Sequence, residues 1–421
     1  MSIKTIDEIS SINSATYSLK DKRLFINYLN TGNITNNKIE EIVCYNELSE
    51  LPSRARRIVK NGNIIISTVR PNQLHYGVLK NIPENLLVST GFAVLDIDKN
   101  LADNYYVYYY LTQKHITNYL QRVAEGSTTS YPSIKPSDIG EITIDLPPLN
   151  IQHKISKIIR QIEEKIELNY RINNNLLGIS KVIYRRWFVD YNFPDDNNKP
   201  YKINGGKFYQ KDMEQIPTNW EIKTLNQISK DIVCGKTPST KKEEYYSENI
   251  DDTKFITIPD MHNNVFVVKT DRYLSEKGKN SQKKKTIPPN SICVSCIATS
   301  GLSILTMDYA QTNQQINSII PKEDVSSYYV YLTMQNMSEY IEMLGSGGST
   351  TNNLNKTQFS KIKILVPEAK ILSQFHEIVE PLFMKIKENQ IEIENLTKLR
   401  DTLLPKLMSG DIDVSDINFD L

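Results

Sequence analysis

The chain is written twice. Ile3-Lys4-Thr5-Ile6-Asp7-Glu8-Ile9-Ser10 returns as Ile222-Lys223-Thr224-Leu225-Asn226-Gln227-Ile228-Ser229. Ile64-Ile65-Ile66-Ser67-Thr68-Val69 is echoed by Ile292-Cys293-Val294-Ser295-Cys296-Ile297, and Tyr105-Tyr106-Val107-Tyr108 by Tyr328-Tyr329-Val330-Tyr331. Gly126-Ser127-Thr128-Thr129 returns as Gly348-Ser349-Thr350-Thr351, and Ile142-Thr143-Ile144-Asp145-Leu146-Pro147 as Ile362-Lys363-Ile364-Leu365-Val366-Pro367. All five pairs keep one order, offset by 219 to 228 residues. Solenoid units span only about 20–50 residues, so this is a tandem duplication of a whole folding unit.

Each copy predicts a globular head followed by a long helix. The heads mix short β-branched runs with helical stretches, which implies a mixed α/β (α+β) class. Strands are expected at Asn63–Val69, Phe92–Ile97 and Ile142–Leu146, and at Phe255–Ile258, Ile292–Ile297 and Ile316–Ile320 in the second copy. One helix is expected over Tyr105–Val123 and one over Ser327–Leu344. The domain reading is then a first head (1–147), a helix (148–190), a linker with the second head (191–367), a helix (368–410) and a tail (411–421).

In the helices, apolar residues fall at Ile151, Ile155, Ile158, Ile162, Ile166, Leu176, Ile179 and Ile183. They recur at Phe375, Val379, Leu382, Ile386, Ile393, Leu396, Leu399, Leu403 and Leu407. Steps of three and four sustained this long mark a helix–helix seam. Each seam has one polar break, Asn169 and Asn389, which is either merely tolerated there or pairs across the seam and fixes register as buried asparagines do in coiled coils. Pro381 should kink the second helix or delay its regular part. Gly205-Gly206 and the polar run Asp195–Lys199 read as flexible chain for the return. A helix of about 40 residues spans roughly 60 Å, so the expectation is an antiparallel pair holding two similar heads apart.

Twin heads at fixed separation suit double-stranded DNA, where two reading units address two half-sites. Global charge is uninformative, with 50 Lys+Arg against 49 Asp+Glu. Residues 367–421 carry 6 basic and 11 acidic side chains, which leaves the remainder mildly basic. A duplex needs local positive potential, not an extreme pI. Ser67, Thr68, Arg70, Asn72 and Gln73 follow a strand and offer an arginine for guanine edges and amides for adenine edges. Arg54, Arg56 and Arg57, with Lys60, read as a basic cluster for phosphates. In the second head Lys236, Thr237, Ser239, Thr240, Ser300, Gln314 and Gln315 are the counterparts. Ser127 and Thr128, and Ser349 and Thr350, lie in Gly/Ser/Thr loops whose N–H groups suit a phosphate. Lys283-Lys284-Lys285 reads as a solvated charge run, and the tyrosine clusters as core.

Three stretches carry a resemblance that covers essentially the whole chain. Leu146-Pro147-Pro148-Leu149-Asn150-Ile151-Gln152 leads into Lys165-Ile166-Glu167-Leu168-Asn169 and ends at Arg186-Trp187-Phe188-Val189-Asp190-Tyr191. Leu399-Arg400-Asp401-Thr402-Leu403-Leu404-Pro405-Lys406-Leu407-Met408-Ser409-Gly410 forms a closing helix, and Ile216-Pro217-Thr218-Asn219-Trp220 opens the second head. Together they resemble the specificity subunit of type I restriction–modification enzymes. The first head departs from the pattern by lacking the Pro-x-x-Trp opening. The resemblance implies two target recognition domains, each reading half of a split asymmetric site, with the helices setting the unread spacer. It also implies two DNA-methylating modification subunits docked along the helices and translocating restriction subunits in a larger complex. S-adenosylmethionine, ATP and Mg would belong to those partners, with no cofactor on this chain.

The residues agree with a chain that carries no catalytic centre. There is no G-x-x-x-x-G-K-[ST] loop for ATP. Gly345-Ser346-Gly347-Gly348 follows a helix, the wrong setting for a dinucleotide fingerprint. No Asp/Asn-Pro-Pro-aromatic tetrapeptide of an amino-methyltransferase is present. Cys293 and Cys296 lack a second pair at metal-site spacing and face opposite ways on a strand, so no metal site is expected. Four cysteines make no disulfide framework, and no apolar run nears about 18 residues, so a cytoplasmic protein without a membrane span is expected. The alternatives are a stand-alone DNA-binding enzyme, as a nuclease or fused methyltransferase, and a rod whose heads bind proteins.

Overall fold

The computed structural model describes residues 2–18, 21, 23–126, 131–211, 214–297, 299–346 and 353–417. It divides into two compact units, Met1–Glu164 with Thr397–Leu421, and Lys165–Leu396. Each long helix contributes to both.

The first head is built on two four-stranded sheets. The first runs Ser10–Ile12, Phe92–Ile97, Ile64–Ser67, Tyr76–Val78, all antiparallel. Its central strand is apolar on both faces, which is why the sequence reads as a continuous Ile run there rather than as an alternation. Ile64 and Ile66 face a core of helices, and Ile65 faces a second core beneath the other sheet. That other sheet runs Val43–Tyr45, Ile26–Leu29, Leu86–Ser89, Ala55–Ile58, with Leu86–Ser89 parallel to Ile26–Leu29.

The second head repeats the plan. Ser229–Cys234, Ile316–Pro321, Ile292–Ser295 and Ser303–Thr306 pair in the same order, with Phe266–Val267 added at the edge. Its other sheet again holds one parallel pair, Thr253–Ile256 with Ala310–Thr312. In each copy the opening strand pairs antiparallel with the closing one, Ile3 opposite Asp145 and Ile222 opposite Leu365. Cys293 lies on the face toward one core, and Ile292, Val294 and Cys296 on the face toward the other.

The helical stretches differ from expectation in one respect. Each expected single helix is two: Asn104–Leu111 with Lys114–Glu125, and Ser327–Asn336 with Ser338–Gly345. The break falls where Thr112 (φ −93°, ψ 2°) and Met337 (φ −98°, ψ 10°) leave the α region for the bridge region. The tyrosines are core: Tyr106, Tyr108 and Tyr109, and Tyr328, Tyr329 and Tyr331, are buried.

The long helices run Leu149–Tyr184, closed by a π turn over Arg185–Val189, and Ala369–Ser409. They are antiparallel in both units. In the first unit Ile155 and Ile159 share a core with Leu407. In the second, Lys165 pairs with Glu392 at 3.4 Å, while Asn173 meets Asn389. Pro381 neither ends nor delays the second helix, which is regular from Ala369 onward. The one hydrogen bond it forfeits is outweighed by Phe375, Val379, Phe383 and Ile386, all fully buried around it. The two asparagines do not bond to each other, so direct pairing across the seam is not what they do. Asn169 Nδ2 donates to Glu392 Oε2 at 2.9 Å, and Asn389 Nδ2 to Asn173 Oδ1 at 2.9 Å. The facing helix carries a second polar residue near each, so each amide is satisfied a turn away from the other.

The return segment makes contacts of its own. Asp195 Oδ1 accepts from the N–H groups of Asn197 and Lys199, which holds its carboxyl below the usual range. Phe193 stacks between Tyr201 and Trp220, with ring centroids 4.5 Å and 4.8 Å away. Gly206 is required there, since a Cβ would lie 2.3 Å from the Tyr201 ring.

Candidate nucleic-acid interface

Polar side chains collect where the central strand of each head ends. In the first head, Ser67 pairs with Phe92 across the sheet, and the chain then turns through Thr68 to Gln73. Thr68 donates from N and Oγ1 to Gly91 O, at 2.8 and 3.0 Å, and Thr90 N donates to Arg54 O at 2.8 Å. Arg54 is thereby brought to the same end of the head as Thr68 and Arg70. Buried Ser67 is not a contact residue, because its Oγ donates to Val69 O at 2.9 Å and braces the turn.

Arg70 stands at the apex with φ +49°, a left-handed backbone uncommon for a residue with a Cβ. Leu74 closes the same turn at φ +58°. Such strain persists only where surroundings fix it. Here Arg70 N donates to Pro132 O at 2.9 Å and Asn72 N to Gln121 Oε1 at 3.1 Å. The Arg70 guanidinium lies over the Tyr131 ring, 5.0 Å from its centroid, and Tyr131 is 61% exposed. Stacking of this kind pre-orients a planar donor fork while its edge stays open. Gln73 lies 3.2 Å from His75 and is exposed, as is Asn72.

The remaining arginines do not form one cluster. Consecutive residues on Ala55–Ile58 point to opposite faces. Arg57 reaches Thr16 Oγ1 at 3.5 Å with its Nε buried, whereas Arg56 Nε donates to Ser53 O at 3.1 Å. Lys60 is drawn off by Asp96 at 2.7 Å. Arg54 and Lys60 are the exposed members of this group, and Arg54 is the one tied to the apex turn, through Thr90.

The second head presents the same strand end with different chemistry. Leu354 N donates to Cys296 O as Ile134 N does to Thr68 O, both at 2.8 Å, and Ile297 bridges Asn353 as Val69 bridges Ser133. Lys236 N donates to Thr312 O at 2.9 Å, and Thr237 Oγ1 to Gln314 Oε1 at 2.6 Å. Gly235 permits this approach, because a Cβ would meet Asn313 O at 2.1 Å. Gln315 is folded inward, its Oε1 accepting from Asn313 Nδ2. Gln315 is half-buried and Ser300 buried, so neither is fully open to a contact. Ser239 and Thr240 are exposed on the loop beyond Pro238. Ser127, Thr128, Ser349 and Thr350 lie outside the described residues. Burial pushes the thiols of Cys293 and Cys296 up to about 12, which leaves them protonated core residues near neutral pH.

Sequence reasoning missed Tyr131 and Gln121, the two side chains that hold the apex turn. The signal for Tyr131 was an aromatic placed between a Gly/Ser/Thr loop and a proline. Gln121 left none, since it sits in an ordinary helical stretch. It also missed the matched use of His153 and His376. Each lies on a long helix 223 residues from the other and contacts the N-cap of its head's tyrosine-rich helix (Asn104–Leu111 or Ser327–Asn336), Asp103 at 3.6 Å and Ser326 at 2.8 Å.

Two copies of one two-sheet head, each ending in a polar turn, define a duplicated recognition protein. The family model for the type I restriction modification DNA specificity domain matches residues 1–177 and again 217–399. The specificity subunit of the type I restriction enzyme HindI of Haemophilus influenzae is 35% identical, covering 91% of this chain and 94% of its own. The MjaIX specificity subunit of Methanocaldococcus jannaschii is 27% identical over 86% of this chain and 80% of its own. The crystal structure of a type I restriction–modification S subunit from M. genitalium matches at a TM-score of 0.59 and 16% identity, covering 96% of this chain and 95% of that one, and so shares the fold. The chain belongs to the family of type I restriction–modification DNA specificity subunits. No described helix is long and apolar enough to cross a membrane.

Proposed function

We propose that each head reads one half of a bipartite, asymmetric duplex site, while the antiparallel helices fix the unread spacer and dock two modification subunits. Restriction subunits join in the larger complex. What carries this reading is the repetition of one strand-end turn, tied by the same bridge in both heads (Val69 to Ser133, Ile297 to Asn353) but lined by different side chains. Equal scaffolds with unequal tips suit a site whose halves differ. Arg70 and Asn72 of the first head address guanine and adenine edges, and Gln314 with Thr237 of the second favours adenine. Exposed Arg54 and Lys236 neutralise phosphates.

In this reading the chain transfers no methyl group and cuts no bond. S-adenosylmethionine, ATP and Mg are bound by the partners. Purified chain incubated with labelled S-adenosylmethionine and DNA is expected to incorporate nothing until modification subunits are added; incorporation by the chain alone would overturn it. Methylome sequencing of a host expressing the complex should return a split motif with a constant spacer. A continuous motif would contradict the two-reader reading.

A further inference from the structure

Beside the recognition turn of the second head lies a basic strip that neither base reading nor ion pairing uses. The strip is the single 3-10 turn Lys283–Lys285, preceded by the helix Glu276–Ser281. The sequence suggests nothing more than a solvated run. The structure ties it down from beneath. Gln311, fully buried on strand Ala310–Thr312, donates from Nε2 to Lys279 O at 3.0 Å and to Thr286 Oγ1 at 2.9 Å. Gln282, 8% exposed, donates to Gln311 Oε1 at 2.8 Å and to Lys236 O at 2.7 Å. Lys285 donates from Nζ to Cys234 O at 2.8 Å. One buried amide pair therefore joins the lysine turn to the loop that carries Lys236 and Thr237.

Buried amides are costly unless paired, and a loose surface flap needs no such anchorage. Nearby lysines are neutralised: Lys277 by Glu244 at 2.9 Å and Lys279 by Glu276 at 3.4 Å. Lys236, Lys283 and Lys284 are exposed, and no ion pair among the described residues involves them. Like charges fixed on one short turn repel each other, and a line of phosphates relieves that repulsion.

We infer that Lys283 and Lys284, with Lys236, form a backbone clamp that grips the duplex phosphates flanking the second half-site. The inference rests on the DNA-reading function proposed above and adds to it a sequence-independent contact. The clamp anchors the duplex while Thr237 and Gln314 meet base edges.

The test uses the full chain assembled with its modification subunits, and two duplexes: one bearing the host's methylated motif, one with both half-sites scrambled. Binding is measured by fluorescence anisotropy across a salt series. Each lysine on a phosphate contributes about 0.9 to the slope of log affinity against log salt. In the Lys283→Gln, Lys284→Gln double variant the slope should therefore fall by about 1.8, lowering affinity for both duplexes by the same factor and leaving the methylated motif unchanged. Lys277→Gln, which removes a lysine already paired with Glu244, should leave the slope unaltered. An unchanged slope in the double variant, with an unchanged thermal transition, would overturn the clamp. So would a lost preference between the duplexes, which would make these lysines base readers. If the unsubstituted complex does not distinguish the duplexes, it is the DNA-reading function that fails.

Discussion

At the scale of single residues, the proposed reading by the first head centres on Arg70. Its backbone is held left-handed at φ +49° and its guanidinium lies over Tyr131, so its donor fork is pre-positioned before DNA arrives. Arg70→Ala should relax one base position in the first half-site, with a discrimination loss of about 1–3 kcal/mol, and leave the second half intact. Sequencing the methylated sites made by the variant would check this. Tyr131→Phe should retain the original preference, because the ring face and not the hydroxyl supports the guanidinium. A second residue, Glu163, makes a pH prediction. Desolvation raises its carboxyl above the ordinary value of 4.5, partly offset by the hydrogen bond from Tyr109 at 2.7 Å and by Arg400. Since the folded value is the higher one, its favourable contribution is full below 4.5 and is lost as pH rises through the folded value. Glu163→Gln keeps an acceptor for Tyr109 and removes the titration. The melting temperature of the native chain relative to this variant should thus be higher at pH 4 than at pH 7, and a difference independent of pH would contradict it.

At the scale of elements, the helix pair buries bonded amides within its apolar stripe. Asn173 and Asn389 are 8% and 2% exposed and bonded to each other. Asn389→Leu strands the Asn173 amide and should cost about 1–3 kcal/mol in urea unfolding, whereas the double replacement by leucine should recover most of the loss. Additive losses would show that the two do not act as a pair. The helices also test the spacer. Seven residues inserted into both helices together lengthen the pair by ~10 Å and restore nearly the same face. The unread spacer should then grow by roughly 3 base pairs, with both half-sites retained. An unchanged spacer in the methylome would sink the proposed role.

For the whole molecule, the proposed function gives each copy of the duplicated head its own half-site. Each head closes its own opening strand on its own last strand, Ile3 on Asp145 and Ile222 on Leu365. Replacing Met1–Asp145 by another first head should change one half-site only; altered methylation in both halves would contradict that autonomy. The repeat made this plan legible, because repeated strings in one order demand repeated folds. The long helices were legible because a stripe with steps of three and four survives any tertiary context. The breaks at Thr112 and Met337 were not, since a change of a few tens of degrees in backbone dihedrals leaves the apolar spacing intact.

The sequence by itself determined the duplication, the mixed α/β heads, the two long helices and the family to which the chain belongs, all of which rest on pattern. Only the tertiary structure decided which polar residues stay at the surface. Ser67 and Gln315 are bonded within their turns, Ser300 is buried, Arg57 turns inward, and Lys60 is taken up by Asp96, whereas Arg70 rests on Tyr131 from a distant loop. The physical reason is that a polar side chain's availability depends on partners brought in from far along the chain, and no local pattern records them.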